Sequence, residues 1–82
     1  MGSCCAKPVS TIIKVGKSQA GIIGLEEIFK RVRAERFSSE AELAQELLAL
    51  ARDSGNYIAP GMEEPYKAAF LREYRKFCRQ EA

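Results

Sequence analysis

Two adjacent cysteines, Cys4 and Cys5, carry the most distinctive chemistry in this chain of 82 residues. Neighbouring thiolates bind soft ions such as Cu(I) and thiophilic metalloids, and they also exchange disulfides with redox partners. Lys7 and the N-terminal amine are close in sequence and favour the thiolate, the reactive form of cysteine. The pair therefore predicts a thiol site that binds a soft metal or metalloid or serves a redox partner.

Two other interpretations of these cysteines are open at this point. Residues 1–10 have no periodic apolar pattern, which is typical of a flexible N-terminal tail in which the two thiols have no role. Gly2 followed by Cys4 and Cys5 also fits dual lipidation, with myristate on the glycine and palmitate on a cysteine. The usual lipidation motif has Ser or Thr where this chain has Ala6.

A stripe of basic residues near the C-terminus forms the second candidate site. Its members recur at the i, i+3, i+4, i+7 spacing of one helical face: Arg72, Arg75, Lys76 and Arg79. Such a face suits an acidic protein or the phosphates of a nucleic acid, and its alternative is a plain solvated surface. We expect a protein partner rather than nucleic acid, because Tyr74 and Phe77 lie on the opposite face, away from any bases.

Catalysis is not expected of this chain. It has no histidine, which removes the commonest general base and the usual activator of serine and cysteine nucleophiles. Val15 to Ser18 resembles the end of a phosphate-binding P-loop, but the motif needs a glycine where the chain has Thr11. We therefore predict a non-catalytic binding module that needs no cofactor, with the thiol site as the alternative function.

The composition is that of an ordinary globular domain. Apolar residues make up 46% and charged residues 29% of the chain, which excludes a disordered tail protein. The net charge of +2 is too small for the strong field of a dedicated nucleic-acid binder. An odd number of cysteines, the lack of a leader pattern and the shortness of the longest apolar run predict a cytoplasmic protein without a transmembrane segment.

Two short apolar runs near the N-terminus predict a β-hairpin. Thr11 to Val15 is rich in β-branched residues, Ala20 to Ile23 is the second run, and Gly16 to Gln19 separates them as a four-residue loop. The alternation of side chains along a strand places Ile13 and Val15 on one face, which we expect to cover the helices.

At Gly24 the apolar pattern changes from that of a strand to that of a helix. The residues that follow repeat at helical spacing: Leu25, Ile28, Phe29 and Val32. A glycine permits a sharp change of direction and serves as an N-cap, and the acidic residues of the first turn suit the helix dipole. The first helix is predicted from Leu25 to about Glu35.

Two further helices follow. Ser39 with Glu42 three residues later is a capping box, which predicts a second helix that ends by Ser54. A third helix is predicted from about Met62 to Arg79. Tyr57 to Ala59 lies between them and either forms a short third strand or crosses the core.

The prediction as a whole is a small α+β domain. Residues 1–10 form the tail, and residues 11–82 form a single domain with an N-terminal two-stranded hairpin followed by three helices. We expect the apolar faces of these elements to meet in one core: Ile13, Val15, Ile22, Leu25, Ile28, Phe29, Val32, Leu43, Leu47, Leu50, Tyr66, Phe70, Tyr74 and Phe77.

Overall fold

The predicted α+β architecture is confirmed. A computed structural model describes residues 10–81 of the chain and the side chains of residues 10–80. Two antiparallel strands precede three helices: β1 (Ser10–Val15), β2 (Ser18–Ile23), α1 (Leu25–Arg33), α2 (Glu40–Asp53) and α3 (Glu63–Glu81). No helix within this part of the chain has the length and apolar character to span a membrane.

The hairpin turn is shorter than the sequence predicts. Val15 pairs with Ser18, so Gly16 and Lys17 alone form the turn, and the predicted four-residue loop is wrong. Gly16 has φ 61°, whereas Lys17 stays in the ordinary negative range, which is the pattern of a type II′ turn. Such a turn matches the right-handed twist of the two strands, and this allows pairing to continue up to Ser18.

One face of the hairpin is buried, as predicted. Ile13, Val15 and Ile22 are each no more than 2% exposed, and they pack against the helices. Ile12 points to the other face and is 65% exposed. A two-stranded hairpin is not stable alone in water, so this burial holds the strands in place.

The change from strand to helix occurs at Gly24, as predicted. Gly24 is the N-cap of α1 and has φ 73°, a left-handed conformation that a side chain would strain. No side chain caps this end of α1, and the carbonyl of Gly24 accepts from the amide of Ile28. The corner leads directly into the apolar stripe of α1, which belongs to the same buried core as the inner face of the hairpin.

The capping box at the start of α2 forms with one difference from the standard motif. The hydroxyl of Ser39 accepts from the amide of Glu42 at 3.3 Å, as the motif requires. The Glu42 carboxylate, however, accepts from the hydroxyl and the amide of Ser38 at 2.8 and 3.3 Å. Ser38 and Ser39 therefore both take part in capping the N-terminus of α2.

The core contains the predicted residues and several that the predicted core did not include. Phe70 of α3 is fully buried, and Leu43, Leu50, Tyr66 and Tyr74 are half-buried at its margin. The additional buried residues are small or lie at the edge of a helical stripe, apart from one in the segment before α3: Ala44, Leu48, Ala51, Ile58 and Ala69. The alanines allow α2 and α3 to approach each other closely.

The segment from Tyr57 to Ala59 crosses the core and does not form a third strand. Ile58 is buried, whereas the neighbouring Tyr57 is 80% exposed. The sheet of the described residues has two strands only. The side chain of Asn56, the residue just before this segment, binds the edge of β2 at Ile23 in place of a third strand.

Asn56 joins the end of β2 to the end of α2 through its side chain. Its Oδ1 accepts from the amide of Ile23 at 2.8 Å, and its Nδ2 donates to the carbonyl of Ile23 at 3.0 Å. The same Nδ2 donates to the carbonyl of Ala51, also at 3.0 Å. Asn56 therefore pairs with the edge of β2 in the way that one residue of an adjacent strand would.

Replacement of Phe70 by alanine is expected to lower the free energy of unfolding by about 3–5 kcal/mol, because it leaves a cavity in the centre of the core. Urea denaturation followed by circular dichroism measures this loss. Tyr57→Ala is the control, since Tyr57 is 80% exposed and its truncation should change stability by less than about 0.5 kcal/mol. Equal losses in the two variants would contradict the described core.

Asn56→Ala is expected to cost about 1–3 kcal/mol, because it leaves the partly buried amide and carbonyl of Ile23 without their partners and removes one of the two hydrogen bonds to the Ala51 carbonyl. Asn56→Asp is the matched variant, since it keeps the acceptor but puts a carboxylate against two carbonyl oxygens. Relative to wild type, the Asp variant should recover stability as the pH falls and its carboxylate gains a proton, and the Ala variant should not. Parallel pH profiles for the two variants would show that the side chain does not bind as described.

Candidate functional site

The four predicted basic residues lie together on the exposed face of α3. Arg72, Arg75, Lys76 and Arg79 are all exposed, and the aromatic residues of the helix face the other way. Phe77 is buried against Phe29, with ring centroids 5.5 Å apart, and Tyr74 meets the same ring edge-on at 5.4 Å. The predicted division of α3 into an aromatic face and a basic face is therefore confirmed.

Arg72 attaches this face to the hairpin. Its guanidinium donates to the backbone carbonyl of Lys14 at 3.1 Å. Lys14 occupies the outer edge of β1, and its own side chain is exposed. The positive charge of α3 therefore continues onto the sheet, and we call the surface formed by Lys14, Arg72, Arg75, Lys76 and Arg79 the basic surface.

Two carboxylates lie within the basic surface. Arg75 forms an ion pair with Glu40 at the start of α2. Lys76 is 3.5 Å from the carboxylate of Glu73, one turn earlier in α3. Arg75, Glu40 and Lys76 are exposed, and Glu73 is half-buried. Ion pairs at the surface contribute little to stability, so Arg75 and Lys76 can exchange these carboxylates for those of a partner.

Arg72 and Arg79 have no carboxylate partner among the described residues. Arg72 is bound to a carbonyl, which orients its guanidinium without neutralising it. The surface thus combines two uncompensated arginines with two exchangeable ion pairs. This arrangement can bind carboxylates at several points.

Sequence reasoning missed the contribution of Lys14. The alternation along β1 placed this side chain on the outer face of the hairpin, but no sequence pattern indicated that β1 lies beside α3. The turn lies near α3 as well, since a Cβ at Gly16 would be in ordinary van der Waals contact, at 3.9 Å, with the Cβ of Pro65 in the first turn of α3.

A small cleft adjoins the basic surface. It occupies about 160 Å³ and has an apolar floor with a polar rim, formed by Thr11, Leu25, Glu26, Phe29, Glu73, Lys76, Phe77 and Gln80. Pockets for small-molecule ligands usually begin at about 300 Å³. The cleft is therefore better suited to receive one side chain of a protein partner than a whole substrate.

The face of α3 that meets α1 contains a thiol and a phenol in contact. Burial raises the pKa of the Tyr74 hydroxyl to about 12, and its hydrogen bond to Cys78 adds to this effect. Cys78 is a free, half-buried cysteine. A phenol that keeps its proton so firmly is a packing group and a hydrogen-bonding group, and it is no base at neutral pH.

The other predicted site, Cys4 and Cys5, lies outside the described residues. Within the described residues, no three cysteine or carboxylate side chains come together in a way that could hold a metal ion. The chain matches no protein-family model, no curated protein and no solved structure.

The raised pKa of Tyr74 leads to a prediction for alkaline pH. An unfolded tyrosine loses its proton near pH 10, whereas folded Tyr74 keeps it to about pH 12. The folded state therefore binds more protons between these values, and stability should fall as the pH rises from about 10. Thermal unfolding between pH 8 and 12 measures the effect, and Tyr74→Phe should flatten the profile. An unchanged profile in that variant would assign the loss to other groups.

Proposed function

We propose that this protein is a small non-catalytic binding module that engages an acidic protein partner through the basic surface. The observation that carries the proposal is the bond from Arg72 to the carbonyl of Lys14, because it extends the charge of α3 onto the hairpin and orients a guanidinium toward solvent. Arginines whose guanidinium is held in a fixed orientation are favoured at sites where a protein recognises carboxylates.

The carboxylates within the basic surface favour a protein partner over a nucleic acid. Glu40 and Glu73 lie beside Arg75 and Lys76, and they would repel a continuous row of phosphates. A protein partner can match a mixture of charges by placing its own basic groups against these carboxylates. The overall net charge of +2 agrees with this choice.

We also propose that the protein works in the cytoplasm. The sequence supports this location through its odd number of cysteines, which lack the spacing of a disulfide framework. Cys78 is a free thiol held by Tyr74, which fits a reducing compartment.

The proposed surface is tested by reversing its two uncompensated arginines. The variant Arg72→Glu/Arg79→Glu should lose the partners that the intact chain captures from its own cells, and its affinity for a recovered partner should fall by about tenfold or more. The control variant Lys30→Glu/Arg36→Glu makes the same change in net charge at exposed positions on and after α1, and it should retain those partners. Mass spectrometry identifies the captured proteins.

Identical capture by the two variants would remove the basic surface from the proposal. Salt separates the two classes of partner, because phosphate contacts make the logarithm of the affinity fall linearly with the logarithm of the salt concentration. A steep dependence of this kind, together with loss of binding after nuclease treatment, would replace the protein partner by a nucleic acid.

A thiol site at Cys4 and Cys5 is the second candidate function. Thr11 lines the same cleft as Lys76 and Gln80, so β1 begins beside the basic C-terminal end of α3. Five residues of extended chain reach about 17 Å, so Cys5 is within range of these basic groups. Nearby positive charge lowers a thiol pKa and favours the reactive thiolate.

Thiol alkylation with intact mass measurement tests this candidate. Cys4 and Cys5 should react before the half-buried Cys78, and stoichiometric Cu(I) or arsenite should protect both of them. Cys78→Ser is the matched control and should leave the protection unchanged, whereas Cys4→Ser/Cys5→Ser should abolish it. Alkylation that proceeds at the same rate with and without the metal or metalloid would end the metal-binding version.

A further inference from the structure

The outer edge of β2 offers free backbone groups. In a two-residue hairpin the closing pair, here Val15 and Ser18, exchanges backbone hydrogen bonds, and bonded and non-bonded pairs then alternate along the ladder. The backbone groups of Gln19, Gly21 and Ile23 therefore point away from β1. The two bonds that Ile23 makes with Asn56 agree with this alternation.

Asn56 occupies only the last of these three positions. The N–H and C=O groups of Gln19 and Gly21 have no partner among the residues that the structure describes, and both residues are exposed. Each chain thus presents two donors and two acceptors in a row, with Asn56 marking where the row ends.

The edge of β2 lacks the features that usually protect an edge strand. Charged residues, proline and β-bulges are the common devices against pairing with another chain. The sequence Ser18–Ile23 contains no charge and no proline, and its register with β1 is continuous. The edge of β1, in contrast, contains Lys14, and its carbonyl is bound by Arg72.

We propose that β2 pairs with β2 of a second copy of this chain, antiparallel about a two-fold axis at Ala20. This axis sets Gln19 opposite Gly21 of the other copy, and each such pair exchanges two backbone hydrogen bonds. All the free groups of both edges are then satisfied. An axis at Gly21 would instead oppose Gln19 to Ile23, whose groups Asn56 already binds.

The side chains along the edge permit this approach. Ala20 is small, Gly21 has no side chain, and the absence of charge in β2 means that two copies meet without repulsion. Ser10 and Ile12 lie over Gly21, with the Oγ of Ser10 2.8 Å and the Cδ1 of Ile12 3.5 Å from the place of a Cβ at that glycine. In the four-stranded sheet the aliphatic part of Gln19 from the second copy covers Ile12, which is 65% exposed in one chain.

The basic surface lies along β1 and α3, on the other side of the hairpin from this edge. The dimer therefore doubles the basic surface without covering it. The inference does not depend on the proposed function, since it uses a different set of residues.

Sedimentation and amide hydrogen exchange on the intact chain test the proposal. The mass should rise from 9.1 kDa toward twice that value with concentration. Exchange at the amides of Gln19 and Gly21 should slow by about tenfold or more over the same range. Monomers at every concentration up to millimolar, with fast exchange at both amides, would overturn the proposed dimer. Protection of these amides that appears only after an extended peptide is added would also overturn it.

A matched pair of variants identifies the edge. Gln19→Pro removes one outward donor without removing a bond between β1 and β2, and it should give a monomer. Gln19→Ala keeps the donor and should dimerise like the wild type. Dimerisation in both variants would overturn the assignment to this edge, and loss in both would overturn pairing through the backbone.

Cross-linking remains decisive if Gln19→Pro does not fold. In a chain whose three native cysteines are replaced by serine, Ala20→Cys places two thiols across the axis, with Cα atoms about 4.5 Å apart. Mild oxidation should give a covalent dimer. Ser18→Cys places its two thiols more than about 10 Å apart and should give none. Failure of Ala20→Cys to cross-link, or equal cross-linking by Ser18→Cys, would contradict the axis.

Discussion

The structure depends on burial of the inner face of a hairpin that has only two strands. Such a hairpin has no independent stability, because half of its side chains must leave water before its backbone bonds become favourable. Ile13, Val15 and Ile22 provide that face, and the helices provide what it packs against. The helices need the hairpin in turn, since Ile13, Val15 and Ile22 belong to the same buried cluster as the apolar residues of the helices. Sheet and helices therefore form one cooperative unit, in which damage to either layer exposes the other.

This constraint also shapes the surface of the molecule. A sheet with one buried face leaves its other face and both edges in contact with water. The two edges differ in the side chains that bind them. Arg72 binds the edge of β1 and brings charge to it, whereas Asn56 binds only the last residue of β2. A charged edge beside a helix suits recognition of another protein's carboxylates. An uncharged edge with free backbone groups suits a partner that contributes a strand of its own.

Much of the fold could be predicted because its signals are local. The change of apolar period at Gly24 and the serine cap of α2 each depend on a few consecutive residues, and both were confirmed. The turn was predicted too long because Ser18 and Gln19 are polar, and polar residues look alike in a loop and on an exposed strand. The role of Asn56 could not be predicted, since its bonds reach back 33 residues to Ile23. The four basic residues could be placed on one face from their spacing, but the addition of Lys14 required knowledge of which helix lies beside β1.

The cleft lined by Thr11 and Gln80 shows that the part of the chain that the structure describes, residues 10–81, begins and ends close together. A unit whose two ends lie side by side can be inserted into a loop of a larger protein without pulling that loop open. A short linker can also join the two ends, and new termini can then be created elsewhere in the chain, as in a circular permutant. The Gly16–Lys17 turn is at the opposite end of the hairpin, so a chain reopened there would present its termini far from the cleft. The domain can thus be inserted into a larger protein in two orientations, attached either at the cleft or at the Gly16–Lys17 turn.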